Sequence, residues 1–249
     1  MTRHLLIIGG QRCGTTLLYE LLDAHPDIAM ARPMRPEPKV FMSDELASRG
    51  LDWYRATYFA HVTTESVLGE KSTSYIEDPA AAARAARVLG DADIVVQLRD
   101  PIARAISNWR FSSAHGAEQR PLALALEENL AGPRAWDPDK TSVSPYAYLE
   151  RGRYAEHLSP WYQSFPGSVH VQFLADAAAG PPVVAELYRE LGVDPSFRPP
   201  DAGRRVNQST GTKPRLDDEL VQRLREYFRL SDEHLADLLG RRLPWMGPG

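Results

Sequence analysis

Short apolar runs alternate along the chain with amphipathic segments. Nearly continuous apolar runs at Leu5–Ile8 and Ile94–Leu98 are typical of strands that are buried on both faces of a parallel sheet. The apolar spacing of Leu17–Leu22 predicts one face of a helix soon after the first strand. Weaker patterns predict strands at Ile28–Ala31, Val67–Ser72 and Val169–Leu174, helices at Leu51–Phe59, Pro79–Val88, Leu122–Leu130, Arg153–Phe165 and Val183–Leu191, and one or two helices over Leu216–Leu239. Strands that alternate with helices predict an α/β fold, which we expect to be a single domain over residues 1–249 with a central parallel sheet flanked by helices.

A glycine-bearing loop joins the first predicted strand to the first predicted helix. It reads Gly9-Gly10-Gln11-Arg12-Cys13-Gly14-Thr15-Thr16 and fits the spacing Gly-x-x-x-x-Gly. Backbone N–H groups and the helix N-terminus favour an anion at such a loop, so a phosphate or sulfate group is the predicted occupant. A nucleoside triphosphatase would have a lysine at Thr15 to serve the β/γ-phosphates of a metal-bound triphosphate. This loop carries its cation earlier, at Arg12, and an ordinary βα turn that binds nothing is the alternative interpretation.

Charged residues also follow the second clear strand. Arg99 comes directly after Leu98, and Asp100 with Pro101 predicts the start of a helix in which Ser107 lies about two turns in. Ligands of open α/β sheets bind at the edge where parallel strands end, which makes Arg99 a candidate ligand contact. A local ion pair at Arg99-Asp100 and a solvent-facing hydroxyl at Ser107 are the alternatives.

Two irregular segments are candidate walls of a binding site. Residues 32–39 contain three prolines and four charged residues, and Glu37, flanked by Arg35 and Lys39, is the only acid. Because proline forbids a helix interior, this stretch is predicted to be an ordered, irregular loop in which Glu37, taken alone, is a solvated carboxylate. Residues 114–148 are the least regular part of the chain and have the length of a lid or substrate-binding segment.

Composition narrows the class of partner. The 249 residues, 43% hydrophobic and 25% charged, are sufficient for a full hydrophobic core. A net charge of −4 gives no basic surface for nucleic acid, so any anion site must be a local pocket. The sequence contains none of the HExxH, CxxC or paired-aspartate patterns of metal sites, and no metal site is predicted.

The single cysteine and the apolar runs bear on location. One cysteine, Cys13, excludes an internal disulfide and suits a reducing compartment, and we expect it to fill space in the loop. No apolar run approaches the ~20 residues of a membrane-spanning helix, and the N-terminus lacks a signal-peptide pattern. A cytoplasmic protein without a membrane partner is therefore expected.

Together these segments resemble the sulfotransferases that use 3′-phosphoadenosine 5′-phosphosulfate (PAPS). Gly9–Thr16, with its following helix and His25-Pro26, resembles their P-loop-like 5′-phosphosulfate strand–loop–helix, and Leu98–Pro101 with Ser107 resembles their 3′-phosphate element. The likeness runs from Leu5 to about Phe228. Three further segments are similar to the heparan sulfate (glycosaminoglycan) branch and its bacterial relatives: Glu37–Phe41, Trp53-Tyr54 and Glu70-Lys71-Ser72.

The resemblance implies roles for individual residues. It implies in-line transfer of a sulfonyl group from PAPS to a hydroxyl or amine of a carbohydrate or small-molecule natural product, without a metal. Glu37 would be the base, Lys71 would lie beside the acceptor and the sulfonyl group, and Arg12 would replace the lysine that is usual in the family. The residues implied to bind the nucleotide are Gln11, Arg12, Cys13, Gly14, Thr15, Thr16, Arg99, Ser107, Gly211, Thr212 and Lys213; those implied to contact the acceptor are Arg35, Lys39 and Tyr154.

Two other functions stay open at the level of the sequence. A P-loop kinase or phosphotransferase shares the strand–loop–helix start but would need a phosphate-binding lysine and Mg²⁺ ligands. A non-catalytic nucleotide-binding protein would bind the 3′,5′-bisphosphate product without turnover. If Glu37 is not the base, His61 or His115 is the next candidate. The acceptor, the choice between O- and N-sulfonation and the oligomeric state are not specified by these motifs.

Overall fold

The computed structural model describes residues 2–137, 139–141, 143–174, 181–199 and 214–247, with only the backbone described for 181–183. Residue contacts divide the chain into two compact units. One comprises Met1–Leu98 and Ser159–Asn207, and the other comprises Arg99–Leu158 and Gln208–Gly249. That the whole chain forms a single domain stays a prediction.

The first unit contains a five-stranded, wholly parallel sheet. Its strands are β1 (Arg3–Gly9), β2 (Ile28–Met30), β3 (Val67–Lys71), β4 (Ala92–Leu98) and β5 (Val169–Phe173), in the order β2-β3-β1-β4-β5. The predicted α/β class with a central parallel sheet is confirmed. Because the strands are parallel, the loops that follow β1 and β3 emerge at the same edge of the sheet.

The described helices follow the predicted segments closely. In chain order they are α1 (Thr15–Asp23), α2 (Asp44–Ala47), α3 (Gly50–Tyr58), α4 (Pro79–Leu89), α5 (Pro101–Ala114), α6 (Leu122–Asn129), α7 (Tyr154–Ser164), α8 (Pro181–Glu190) and α9 (Asp218–Leu239), with 3₁₀ helices at Val40–Met42, Tyr75–Glu77 and Glu150–Gly152. The C-terminal segment is one helix rather than two. Among the described residues, none of these helices combines the length and apolar character needed to cross a membrane.

The core of the first unit lies between the sheet and two helices. Leu5 and Ile7 of β1 are fully buried, and α1 packs on them through a face that includes Leu18 and Leu22. Leu187 of α8 joins the same cluster. The alternation of side chains along β1 explains why only part of this strand faces these helices. The sheet and α1 thereby form a rigid support for the loop between them.

The second unit has its own apolar core around α5, α6 and α9. Ile102, Leu126 and Phe228 are buried there, one on each helix. The predicted start of α5 is confirmed: the Asp100 carboxylate accepts hydrogen bonds from the amides of Ile102 and Ala103 at 2.8 and 3.0 Å, and Pro101 occupies the first turn. Side-chain capping of this kind stabilises a helix N-terminus by about 1 kcal/mol.

Candidate active site

The glycine-bearing loop after β1 ends where α1 begins. Gly14 precedes the helix with φ 89°, a left-handed conformation that favours glycine, and α1 has no side-chain cap and no acidic residue in its first turn. The amides of Thr15 and Thr16 open the helix, where N–H groups have no partner within the helix. The helix N-terminus therefore offers backbone donors and a positive dipole end to an anion.

The loop is tied to the sheet on both sides. The Gly10 amide donates to the Gln97 carbonyl of β4 at 2.8 Å, and the Gln11 side-chain amide contacts the Ser74 hydroxyl, beyond β3, at 3.5 Å. A Cβ at Gly14 would lie 2.7 Å from a methyl group of Leu174 and 3.1 Å from the Gln97 side-chain amide, so the loop packs closely against both side chains. Cys13 is fully buried, in accord with the space-filling role expected for it.

Two residues of the predicted site have an unusual backbone conformation. Among the described residues, Arg12 (φ 67°) and Lys39 (φ 52°) are the non-glycine residues with positive φ. This region costs roughly 1–2 kcal/mol for a residue with a side chain. Such strain concentrates at functional sites, where the surrounding structure holds it in place. Both residues belong to the segments that the sequence identified as candidate binding elements.

Glu37 is held against the end of β3. Lys71 donates a hydrogen bond from its ammonium group to Glu37 Oε1, and the Thr73 amide donates to Oε2 at 2.9 Å. The Thr73 hydroxyl also lies 3.1 Å from Oε2. The Glu37 side chain is 17% exposed and that of Lys71 6% exposed. Glu37 is therefore not a solvated loop carboxylate, and it keeps access to solvent for a reacting partner.

This carboxylate and the anion loop occupy the same edge of the sheet. Lys71 pairs in register with Ile7 of β1, two residues before β1 ends at Gly9. A Cβ at Gly9 would lie 3.4 Å from the Thr73 carbonyl, which shows how closely the two segments approach. Thr73, which no sequence motif indicated, is a further hydrogen-bond donor to Glu37. Its position just beyond Lys71, at the end of a parallel strand, is the signal that could have identified it.

A second carboxyl group, Glu70, lies buried beside the same strand end. It is fully inaccessible to solvent and accepts hydrogen bonds from the hydroxyls of Tyr54, Ser72 and Tyr75. Burial raises the pKa of Glu70, and burial likewise raises the pKa values of Tyr54 and Tyr75. The sequence motif contained Glu70, but its hydroxyl partners depend on the folded structure.

The second unit contains the predicted 3′-phosphate element. Arg99 follows β4, and its carbonyl accepts a hydrogen bond from the Tyr154 hydroxyl at 2.8 Å. Ser107 lies on α5, and both Arg99 and Ser107 are partly exposed. Asp100, besides capping α5, accepts a hydrogen bond from Arg225 at 2.5 Å. Tyr154 thus holds the backbone just before α5, and Arg225 holds the Asp100 side chain that caps the helix.

Other predicted residues are placed differently. Tyr154 is fully buried and its hydroxyl donates to the Arg99 carbonyl, while the acceptor contact implied for it stays a prediction. Arg35 is exposed and Lys39 is half-buried on the segment that carries Glu37. Gly211, Thr212 and Lys213 lie outside the described residues. Within the described ranges, no group of three His, Cys, Asp or Glu residues could hold a metal ion.

The sequence of the chain matches known proteins over most of its length. It is 31% identical to the human "Bifunctional heparan sulfate N-deacetylase/N-sulfotransferase 3", covering 97% of this chain and 31% of that protein. It is 28% identical to the human "Heparan sulfate glucosamine 3-O-sulfotransferase 3A1", covering 97% of this chain and 62% of that protein. The chain thus spans about a third to somewhat under two thirds of the length of these curated relatives.

Solved structures and a family model agree with these relatives. The crystal structure of a sulfotransferase from Alicyclobacillus acidocaldarius has a TM-score of 0.77 and 25% identity, with 98% of each chain covered. The sulfotransferase domain from the curacin biosynthetic pathway has a TM-score of 0.54 at 15% identity, with 98% and 99% covered, and shows the fold alone. The family model described as "Sulfotransferase domain" matches residues 2–174, more than half of the chain. The chain belongs to the sulfotransferase family.

Proposed function

We propose that the protein transfers a sulfonyl group from PAPS to a hydroxyl or amine of a carbohydrate or a small-molecule natural product, with Glu37 as the base. The observation that carries this proposal is the Glu37 carboxylate, which is bonded by Lys71 and Thr73 at the sheet edge that also bears the anion loop. The names of the relatives, which specify heparan sulfate and its glucosamine, support a carbohydrate acceptor.

The anion loop fits the 5′-phosphosulfate of PAPS. The helix α1 lacks a side-chain cap, its first amides are available as donors, and Arg12 adds a cation within the loop. Arg12 departs from the lysine usual in the family, and its planar guanidinium suits bidentate contact with an oxyanion. Gln11, Cys13 and Gly14 would contribute backbone groups and loop shape.

Arg99 and Ser107 would hold the 3′-phosphate. A guanidinium can bond two phosphate oxygens at once, and a serine hydroxyl can donate a third hydrogen bond. The Tyr154 hydroxyl bond to the Arg99 carbonyl and the Asp100 cap of α5 support this role because they fix the backbone on either side of the Arg99 peptide. The segment at Gly211, Thr212 and Lys213 would complete the phosphate contacts.

Glu37 would accept the proton of the acceptor as the acceptor oxygen or nitrogen bonds to sulfur. The bond between sulfur and the bridging phosphate oxygen breaks, and its electron pair stays on that oxygen. Arg12 and the amides at the start of α1 would stabilise the charge that builds up there, an effect worth ~10²–10³ in rate for each donor. General-base catalysis by Glu37 would contribute a further ~10²–10⁴.

Lys71 would orient the base and stabilise the transferring group. Its stem is buried and its ammonium group bonds Glu37, so the base is oriented from a rigid strand rather than from a flexible chain. An ammonium group beside Glu37 can also face the sulfonate oxygens during transfer. Action without a metal and a cytoplasmic location stay predictions from the sequence.

The test is transfer with a defined donor and a defined set of acceptors. The protein is incubated with PAPS and either a glucosamine-containing heparan oligosaccharide, p-nitrophenyl glucosaminide or a small hydroxy acid ester, and release of 3′,5′-bisphosphoadenosine and the sulfated product is measured by chromatography and mass spectrometry. We expect acceptor-dependent release with at least one acceptor. Phosphorylated product from ATP and Mg²⁺ would contradict the proposal in favour of a kinase. Tight binding of the bisphosphate with no turnover would favour a non-catalytic protein.

A further inference from the structure

The buried carboxyl group of Glu70 is connected to the segment that carries Glu37. Two of the hydroxyls that bond Glu70 also accept hydrogen bonds from backbone amides of that segment. The Lys39 amide donates to the Ser72 hydroxyl at 2.9 Å, and the Phe41 amide donates to the Tyr75 hydroxyl at 3.2 Å. The side chain of Glu70 therefore reaches this backbone through one intermediate hydroxyl on each side.

The chemistry of these groups sets the direction of both connections. A backbone amide can only donate, so each hydroxyl accepts from the amide and uses its own hydrogen toward Glu70. The Ser72 hydroxyl lies 2.5 Å and the Tyr75 hydroxyl 2.7 Å from the same oxygen, Glu70 Oε1. Two chains of hydrogen bonds thus run from the Glu37 segment and end on one acceptor atom. The Tyr54 hydroxyl reaches the other oxygen, Oε2, at 2.8 Å.

The anchored backbone is the part of the segment that needs support. Lys39 has a left-handed φ of 52° and precedes the 3₁₀ helix Val40–Met42. It lies two residues after Glu37, so its conformation sets the direction from which Glu37 approaches Lys71. A strained residue in an irregular, proline-rich segment persists only where its surroundings hold it. The bonds to the Lys39 and Phe41 amides supply that restraint on both sides of the turn.

We propose that Glu70 is a positioning residue for Glu37, holding the Lys39–Phe41 backbone through Ser72 and Tyr75 so that the Glu37 carboxylate stays against Lys71 and Thr73. This inference rests on the proposed function, in which Glu37 is the base. A buried carboxyl group is expensive to desolvate, and a site that only required packing would be filled by an apolar side chain. A single acceptor atom that collects two hydroxyl hydrogens is what this anchoring requires.

Variants separate positioning from general support of the core. Ser72→Ala and Tyr75→Phe each remove one hydroxyl that connects Glu70 to the Lys39–Phe41 backbone. Tyr54→Phe is the matched control, because Glu70 loses a hydroxyl bond while both chains stay intact. Glu70→Gln keeps an amide oxygen for Ser72 and Tyr75 and can turn its NH₂ group toward Tyr54, whereas Glu70→Leu removes the acceptor altogether.

The measurement is amide hydrogen exchange in the full-length protein, read on peptides that cover residues 37–43 and on peptides of β1 and β4. We expect Ser72→Ala, Tyr75→Phe and Glu70→Leu to accelerate exchange at the Lys39 and Phe41 amides by about tenfold or more, with β1 and β4 unchanged. Tyr54→Phe and Glu70→Gln should exchange as the wild type does. Where Glu70→Leu does not fold, Ser72→Ala and Tyr75→Phe decide the outcome.

Turnover of PAPS with the acceptor used above gives the second readout. Ser72→Ala, Tyr75→Phe and Glu70→Leu, which interrupt the hydrogen-bonded connections, should lower kcat with little change in KM for PAPS. Glu70→Gln, in contrast to Glu70→Leu, should keep kcat near that of the wild type. Exchange in Ser72→Ala and Tyr75→Phe that matches Tyr54→Phe, or that rises equally in β1 and β4, would overturn the positioning role. Selective exchange effects combined with an active Glu37→Gln enzyme would instead keep the anchoring and reject Glu37 as the base.

Discussion

The ammonium group of Lys71 bonds the carboxylate of Glu37, a residue 34 positions earlier in the chain. Lys71 ends β3, an inner strand of the parallel sheet, whereas Glu37 belongs to an irregular, proline-rich segment. Their contact therefore holds an irregular segment against a strand of the sheet, with both side chains mostly removed from water. Under the proposed function, a carboxylate held in this way would be oriented before the acceptor binds, which would lower the entropic cost of reaction.

Removal of the Lys71 charge tests whether this contact serves turnover. Lys71→Met keeps the length of the buried stem and removes the ammonium group. We expect kcat to fall by about 10²–10³, as for other preorganised charge donors, with KM for PAPS little changed. Steady-state kinetics give both values. Lys140→Met, at a lysine that is 81% exposed, is the control, and equal kinetics for the two variants would contradict a role for Lys71.

Recognition of the 3′-phosphate is tested at Arg99. Arg99→Ala should raise the dissociation constant for 3′,5′-bisphosphoadenosine by about 10–100-fold, since a charge-assisted hydrogen bond contributes about 1.5–3 kcal/mol. Affinity for adenosine 5′-phosphosulfate, which lacks that phosphate, should not change. Titration calorimetry measures both ligands. Arg223→Ala, which removes an exposed arginine paired with Glu127, serves as the control. A similar loss of affinity for both nucleotides would show that Arg99 does not act through the 3′-phosphate.

Turnover is expected without an added divalent cation. The anion loop has Thr15 at the position where a triphosphate-binding loop has its lysine, and the sequence contains no Mg²⁺-binding motif. EDTA should therefore leave kcat unchanged, and Mg²⁺ should not increase it. Activity that disappears with EDTA and returns with Mg²⁺ would favour phosphoryl transfer.

The stability of the protein should depend on pH through Asp232. This buried residue of α9 accepts a hydrogen bond from the Trp245 indole at 3.0 Å, and burial raises its pKa to about 6. The folded state therefore binds this proton more tightly than the unfolded state, whose aspartate pKa is about 3.9. The contribution of Asp232 to the free energy of unfolding is therefore fully present at low pH and is lost as pH rises from about 4 to about 6.

Asp232→Asn keeps an oxygen for Trp245 and removes the titration. It should match the wild type near pH 4 and exceed its free energy of unfolding at pH 7 by roughly 2 kcal/mol, because one pKa unit corresponds to about 1.4 kcal/mol before screening. Urea unfolding at the two pH values measures the difference. Asp237→Asn, on the exposed face of the same helix, is the control. A stability difference between Asp232→Asn and wild type that is the same at both pH values would refute the assignment.

The fold was predictable because local signals agree with it. The apolar runs of β1 and β4 and the Asp-Pro starts of α4 and α5 depend only on neighbouring residues, and each lies close to its predicted position. The short helix α2 was not predicted, since four residues carry too little periodicity. The apolar pattern of Leu216–Leu239 also could not show that this segment forms one helix, Asp218–Leu239, rather than two.

The sequence indicated candidate site residues, but it did not indicate the contacts among them. Resemblance to a family selected Glu37 and Lys71, and the structure brings them together. The hydrogen bonds of Thr73 and of Glu70 join segments that are far apart in sequence, so no local pattern encodes them. The burial of Tyr154 likewise depends on tertiary packing rather than on a local pattern.

Glu37→Gln is the most direct test of whether Glu37 is the base of the proposed sulfonyl transfer. The amide keeps the size and polarity of the side chain but cannot take the acceptor's proton. With PAPS and the acceptor at saturation, kcat should fall by ~10²–10⁴, while the dissociation constant for 3′,5′-bisphosphoadenosine stays within a few-fold of wild type. A near-normal kcat would show that the base lies elsewhere, with His61 and His115 the next residues to test. Collapse of nucleotide affinity would show that Glu37 maintains the binding site rather than accepting the proton.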